Sequence, residues 1–131
     1  MDHAASKNHR IRVLVADDDR TFLSSLRELI DQQPELEVVG AATDGLEAVE
    51  LAERLGLDAV VLDLHMPRLD GVKAAGRLRR DHPSLCLIAL TGDDTPGLHE
   101  AARAAGADEV LLKSQLVNGL LERLVRVLTV D

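Results

Sequence analysis

The chain is almost without aromatic side chains, since its 131 residues include one Phe and neither Trp nor Tyr. Proteins that stack nucleic-acid bases or flavin rings use aromatic faces to do so, and this composition argues against both kinds of site. The core must instead be packed from Leu, Val, Ile and Ala. With 46% apolar and 29% charged residues, the chain has the balance of one globular domain.

Cysteine and long apolar runs are also scarce. The single cysteine, Cys86, excludes an internal disulfide, and its place in the run LCLIAL predicts a small buried hydrophobe rather than a reactive thiol. No apolar run reaches the roughly 20 residues that a bilayer crossing needs, and the first residues lack the apolar centre of a secretory signal. We therefore expect no membrane contact and a cytoplasmic location.

Positive charge is limited as well. The chain has 15 Lys and Arg residues against 23 Asp and Glu residues, which gives a formal net charge of −8. Proteins bind the phosphate backbone of nucleic acids with clustered Lys and Arg residues, so we expect no direct nucleic-acid contact by this chain. A role in DNA binding would require an additional domain.

Short apolar runs alternate with stretches of helical period five times along the chain. The runs are IRVLVA, LEVVGA, AVVLD, LCLIAL and EVLL. Because they are rich in Val, Leu and Ile without polar alternation, they predict parallel strands buried on both faces. The fold class is therefore α/β, a doubly wound five-stranded parallel sheet in the order 2-1-3-4-5. Residues 1–9 are polar and aperiodic, so we expect a disordered tail there and one domain over residues 10–131.

Local signals mark several helix ends. Gly56 and Gly106 stand where left-handed caps end helices, and Pro96 suits a helix start. Asp19 and Asp70 precede helical stretches and are predicted N-caps.

Polar side chains follow four of the apolar runs. Asp17 and Asp18 come after the first run, Asp63 ends the third, Thr91 follows the fourth and Lys113 follows the fifth. The carboxyl ends of parallel strands meet at one edge of a sheet, so these side chains should converge there. Clustered carboxylates repel one another unless a cation neutralises them, and Mg²⁺ prefers such oxygen ligands. A carboxylate, a metal, a hydroxyl and a lysine together suit phosphoryl transfer onto an aspartate.

Four stretches carry a resemblance to a known family. VLVADDD, VVLDLHMPRLDG, IALTGDD and VLLKS resemble, in this order, the response-regulator receiver domains of two-component signalling. The pattern D-x-x-M-P-x-x-D-G, from Asp63 to Gly71, is the most specific of these features. The resemblance implies a flavodoxin-like receiver fold and a switch in a phosphorelay, one that catalyses only its own phosphoryl transfer and dephosphorylation.

The resemblance also implies a role for each matching residue. Asp63 would accept the phosphoryl group in a Mg²⁺-dependent reaction. Asp17 and Asp18 would position the ion together with Asp63 and the backbone carbonyl of His65, and Asp18 is the stronger candidate for a direct ligand.

The implied switch involves two further residues and several partners. Lys113 would neutralise phosphoryl oxygens, and Thr91 would move to bond the phosphoryl group, changing the face of helix 4, strand 5 and helix 5. The implied partners are a sensor histidine kinase or phosphotransfer protein, and an output domain or a second copy of the chain. A longer regulator with a helix-turn-helix output would act in transcription regulation, but a stand-alone receiver fits equally well.

Two positions depart from the family pattern. Val110 stands where the family usually has Tyr or Phe, so the resemblance does not extend to coupling through an aromatic ring. Ser114 replaces the usual proline after the lysine, and we therefore expect no cis peptide bond at that junction.

An alternative enzyme function rests on Asp17-x-Asp19-x-Thr21, which resembles the nucleophile motif of haloacid-dehalogenase-type phosphatases. Those enzymes need a further acidic pair after the lysine, and none follows Lys113.

A second alternative is a cobalamin-binding module, because Asp63-x-His65 resembles the start of such a motif. Arg68 stands where that motif needs glycine.

The last stretch carries an apolar stripe wider than one sheet contact requires. Its members are Leu116, Val117, Leu120, Leu121, Leu124, Val125, Val127 and Leu128. Two interpretations stay open: a broad core face, or a contact with a second copy or an output domain.

Overall fold

The computed structural model describes residues 10–92, 96–116 and 126, and five strands alternate with four α-helices along them. The strands are β1 (Ile11–Ala16), β2 (Leu36–Ala42), β3 (Ala59–Asp63), β4 (Cys86–Thr91) and β5 (Glu109–Leu112). The helices are α1 (Arg20–Asp31), α2 (Gly45–Arg54), α3 (Gly71–Asp81) and α4 (Pro96–Ala105), and a short 3₁₀ helix spans Lys113–Leu116.

The strands form one parallel sheet in the order β2-β1-β3-β4-β5. The chain runs outward from β1 to β2, crosses back to β3, and then continues through β4 to β5. The reversal between β1 and β3 opens a crevice at the carboxyl ends of these two strands, where ligands bind in such sheets. The predicted fold class and strand order are confirmed.

The core lies on both sides of the sheet because successive strand residues point to opposite faces. Val13 and Val15 of β1 pack with the buried face of α1, whereas Leu14 and Ala16 pack with α2 and α3. All five residues of β3 are buried, as predicted. The edge strand β2 departs from the prediction, since its five central residues are only half-buried. An edge strand has one paired neighbour, which leaves it more open to solvent.

Most predicted helix ends are confirmed. Asp19 and Asp70 accept hydrogen bonds from the first-turn amides of α1 and α3, and α4 begins at Pro96. Gly106 has a φ of +123°, in the region that favours glycine. The prediction for Gly56 was wrong: α2 ends instead at an extended Leu55, whose amide still donates to Leu51.

Other expectations have mixed outcomes. Cys86 is half-buried rather than buried. The peptide bonds of the described residues are all trans, including the bond that joins Lys113 to Ser114. No helix in this part of the chain is both long and apolar enough to cross a membrane. The predicted tail (residues 1–9) and the last helix with its apolar stripe lie outside the described residues, apart from the backbone at Leu116 and the isolated Arg126.

Candidate functional site

Three carboxylates meet at the crevice. Asp17 and Asp18 directly follow β1, and Asp63 is the last residue of the neighbouring β3, whose Leu62 pairs with Ala16. One carboxylate oxygen from each lies within 4.8 Å of the other two. Asp17 and Asp63 are buried, with 0% and 2% of their surface exposed, whereas Asp18 is open to solvent. The sheet edge therefore holds two acids in a low-dielectric setting and one at its mouth.

The ammonium group of Lys113 lies against the two buried acids. Its Nζ atom is 2.6 Å from Asp17 Oδ2 and 3.6 Å from Asp63 Oδ2. Lys113 directly follows β5, and β4 separates β5 from β3. The side chain must therefore reach across β4, and 22% of it remains exposed.

Backbone amides bind the other oxygen of each buried carboxylate. Asp17 Oδ1 accepts from the amide of Asp19 at 2.9 Å, and Asp63 Oδ1 accepts from the amide of His65 at 3.3 Å. Each bond closes a tight turn just after its strand, because donor and acceptor are two residues apart. These turns fix where the carboxylates point.

The electrostatics of the cluster are unbalanced. Burial raises the pKa of Asp63 to about 6, and the charges of Asp17 and Asp18 act in the same direction against Lys113 and the His65 amide. Burial disfavours the charged form of Lys113, but the hydrogen bond to Asp17 and the charge of Asp63 outweigh it, so the pKa of Lys113 is raised. One ammonium therefore does not neutralise three carboxylates.

This donor set fits a hard divalent cation. Mg²⁺ takes oxygen ligands and is commonly held by one or two carboxylates together with waters and phosphate oxygens. The described residues supply three carboxylate oxygens within reach of one ion. Burial raises the pKa of Asp63 most, and the negative charges of Asp17 and Asp18 add to the rise, so a cation at this place would favour the ionised carboxylate.

Thr91 and His65 lie beside the acids. Thr91 is fully buried at the end of β4, where it pairs with Leu112, the residue before Lys113. Its Oγ1 atom is 3.5 Å from Nε2 of His65. The next residue, Gly92, has open space where a side chain would stand.

The loop after β3 holds the end of that strand close to α3. The amide of Gly71 donates to the carbonyl of Leu64 at 3.1 Å. A Cβ atom on Gly71 would clash with the Leu64 backbone and lie 2.5 Å from the carbonyl oxygen of Asp63. A glycine at this position therefore lets α3 pack directly against the end of β3.

Two contacts at the site were missed from the sequence. Lys113 Nζ lies 4.5 Å from the centre of the Phe22 ring, and the sequence marked Phe22 only as the single aromatic residue. The imidazole of His65 approaches Thr91, a contact that the sequence did not predict. The sequence did hold a clue to the contact between Phe22 and Lys113. Phe22 lies in the first turn of α1, directly after the acidic loop of Asp17, Asp18 and Asp19.

Comparisons with known proteins agree with this geometry. The family profile described as "Response regulator receiver domain" matches residues 13–125. The nitrate/nitrite response regulator protein NarP of Escherichia coli is 38% identical over 85% of this chain and 52% of its own length. A protein-glutamate methylesterase/protein-glutamine glutaminase of Thermotoga maritima is 35% identical over 92% of this chain and 38% of its own.

A solved structure gives the same result. The response regulator domain of Thermotoga maritima CheB matches with a TM-score of 0.82 and 33% identity, over 94% of this chain and 99% of that one. The first curated relatives are longer, and the chain spans 24% to 52% of their length. These matches do not favour the phosphatase alternative at Asp17, and Asp19 of that motif is occupied as the N-cap of α1.

Proposed function

The chain belongs to the response regulator receiver domain family of two-component signalling, and from this premise we propose that Asp63 is its phosphoacceptor. Asp17, Asp18, Asp63 and the backbone carbonyl of His65 would hold Mg²⁺. The observation that carries the proposal is the meeting of Asp63 with Lys113 and two further carboxylates at the carboxyl edge of the sheet.

The chemistry is a phosphoryl transfer. One carboxylate oxygen of Asp63 forms a bond to phosphorus while the bond from phosphorus to the imidazole nitrogen of a donor phosphohistidine breaks. The electron pair of the broken bond stays on that nitrogen, and this chain carries an acyl phosphate. When bound, Mg²⁺ would supply positive charge next to the transferring oxygens. A small phosphodonor such as acetyl phosphate could replace the phosphohistidine, and water later hydrolyses the acyl phosphate, so the chain would catalyse only its own phosphorylation and dephosphorylation.

Lys113 and Thr91 would respond to the new phosphoryl group. It adds up to about two negative charges and three acceptor oxygens, which attract the nearby ammonium and hydroxyl. Lys113 is already 3.6 Å from Asp63, so a small movement would bring it to the phosphoryl oxygens. Thr91 is followed by Gly92, where open space permits the loop to shift. Because the buried Val110 has no ring to reorient, a small loop shift would have to suffice.

The partners follow from the family. A sensor histidine kinase or a phosphotransfer protein would supply the phosphoryl group in the cytoplasm. The output would be a second domain or a second copy of the chain that reads the surface near α4 and β5. Among the relatives, DegU of Brevibacillus brevis is named a transcriptional regulatory protein and the Thermotoga protein a methylesterase, so transcription regulation and enzyme control are both compatible outputs. We assign residues 10–131 to the receiver domain and residues 1–9 to a tail.

The test is intact mass spectrometry after incubation with acetyl phosphate and Mg²⁺. We expect one added phosphoryl group on the parent protein, and none with Asp63→Asn or with a chelator. Asp19→Asn is a matched control: it removes a neighbouring charge, yet Asn caps helices as well as Asp, and this variant should be phosphorylated normally.

Two results would contradict the proposal. Normal incorporation in Asp63→Asn would exclude Asp63 as the acceptor. Incorporation lost with Asp17→Asn but retained with Asp63→Asn would instead support the phosphatase-like alternative.

A further inference from the structure

The single aromatic side chain of the protein contacts the lysine of the site. The Lys113 ammonium lies 4.5 Å from the centre of the Phe22 ring, within the distance at which a cation is attracted to a ring face. The ring is half-buried and packs against the core on the α1 side of the sheet. Phe22 thus joins the hydrophobic core to the charged site.

The acidic loop itself fixes the place of this ring. The carboxylate of Asp17 accepts from the amide of Asp19, and the carboxylate of Asp19 accepts from the amides of Thr21 and Phe22 at 3.1 and 3.2 Å. These bonds begin α1 directly after β1 and set the direction of its first turn. Phe22 therefore has a defined position relative to Asp17, the carboxylate that pairs with Lys113.

We propose that Phe22 is a positioning residue that holds the Lys113 ammonium over the acidic site. This inference rests on the proposed function, in which Lys113 serves the phosphoryl group on Asp63. The ammonium lies among Asp17, Asp63 and the ring face. A long lysine side chain has many rotamers, and three contacts together select the one that points toward Asp63.

An aromatic ring suits this position better than another acid. Three carboxylates already crowd the site, and burial, reinforced by the charges of Asp17 and Asp18, raises the pKa of Asp63. A fourth would increase that repulsion. The ring attracts the cation through its quadrupole while carrying no net charge. It therefore holds Lys113 without competing with Asp63 for positive charge, and leaves the ammonium able to turn toward a phosphoryl oxygen.

The first test asks whether the ring and the ammonium interact. Urea unfolding in the presence of a chelator is measured for the parent, Phe22→Leu, Lys113→Met and the double variant. We expect Phe22→Leu to lower the folding equilibrium constant about two- to fivefold more when Lys113 is present than in Lys113→Met. Equal effects in the two backgrounds would overturn the inference, because the ring would then only fill space.

The second test asks whether the ring assists the reaction. Because Phe22 is the only phenylalanine, biosynthetic incorporation of progressively fluorinated phenylalanines changes this ring alone. Fluorine withdraws charge from the ring face but alters its shape little. We expect the initial rate of phosphorylation by acetyl phosphate to fall in steps, about two- to fivefold in total, together with a loss of stability in urea no larger than the coupling found in the first test. A rate that is constant along the series would contradict the positioning role.

The two tests separate failure of the inference from failure of the proposed function. A parent protein that takes up no phosphoryl group refutes the proposed function, and the unfolding cycle alone then decides whether Phe22 holds Lys113. A parent that is phosphorylated, combined with equal effects in the unfolding cycle, refutes the inference and leaves the function intact.

Discussion

The guanidinium of Arg79 donates two hydrogen bonds to the carbonyl oxygen of Gly106, from Nε at 3.0 Å and from Nη2 at 2.9 Å. Its remaining donors bind the carbonyls of Pro83 and Leu85 and the carboxylate of Asp108. One side chain thereby ties the end of α3 to the loop between α4 and β5. The fixed fork of arginine permits this set of bonds, which a lysine cannot reproduce.

We therefore expect Arg79→Lys to destabilise the protein by about 2 kcal/mol, since several partly buried carbonyls lose their donors. Urea unfolding measures the difference. The neighbouring Arg80→Lys is the matched control, because Arg80 is exposed and, within the described part of the chain, pairs only with Asp81, the next residue. That variant should unfold at the same urea concentration as the parent. Equal losses of unfolding free energy at the two positions would show that the hydrogen bonds of Arg79 do not stabilise the protein.

The backbone of Gly106 gives a second prediction about the same junction. Its φ is +123°, and a Cβ atom there would lie 2.5 Å from Cγ of Arg79. Gly106→Ala should therefore lower the free energy of unfolding in urea by about 1–3 kcal/mol, because the backbone is strained and Arg79 is displaced. Gly76→Ala is the control: Gly76 lies within α3 with open space around it, and alanine there should stabilise by about 0.5–1 kcal/mol. A stabilising Gly106→Ala would contradict this account.

The fold was predictable from the sequence because each strand is a short apolar run and each helix has clear local limits. Helix limits depend on local residues, and the predicted limits at Asp19, Pro96 and Gly106 are confirmed. Gly56 failed because a glycine permits a left-handed cap without requiring one, and here the chain leaves α2 in an extended conformation. The exposure of β2 could not be read from composition, because it depends on the strand being at the edge.

The site was predictable only in part. Topology brings Asp17, Asp63 and Lys113 to one edge, so their convergence follows from the strand order. The contact between Phe22 and Lys113 joins residues far apart in the chain and depends on the direction of α1 and the rotamer of a long side chain. The sequence places Phe22 near the acidic residues but does not predict the lysine rotamer that brings the ammonium to its ring.

Cys86 should be a slow nucleophile in the folded protein. Burial, with a smaller contribution from Asp108, raises the pKa of its thiol from the usual 9.0 to about 11. Because the thiolate is the reactive form, we expect alkylation at pH 8 to be about 100-fold slower than in the chain unfolded by urea. The rate of iodoacetamide labelling, followed by mass, measures this. Similar rates in the folded and unfolded chain would show that the thiol is accessible and ionises normally.

The stability of the metal-free protein should depend on pH through Asp63. Burial and the neighbouring acids raise its pKa from 3.8 to about 6. Since the folded-state pKa is the higher one, protonation of Asp63 stabilises the folded protein fully below about pH 4. This contribution is lost as the pH rises through about 6. Above that range the ionised carboxylate opposes folding.

Asp63→Asn should therefore be more stable than the parent at pH 7.5 in the presence of a chelator, by about 1–2 kcal/mol once solvent screening at the open side of the site is allowed for. At pH 4 the difference should nearly vanish, because a protonated aspartate and an asparagine are alike in shape and charge. Urea unfolding at several pH values measures both limits, and a difference that does not change with pH would contradict the raised pKa. Adding Mg²⁺ at pH 7.5 should stabilise the parent more than the variant, because only the parent retains all three carboxylates for a cation to neutralise.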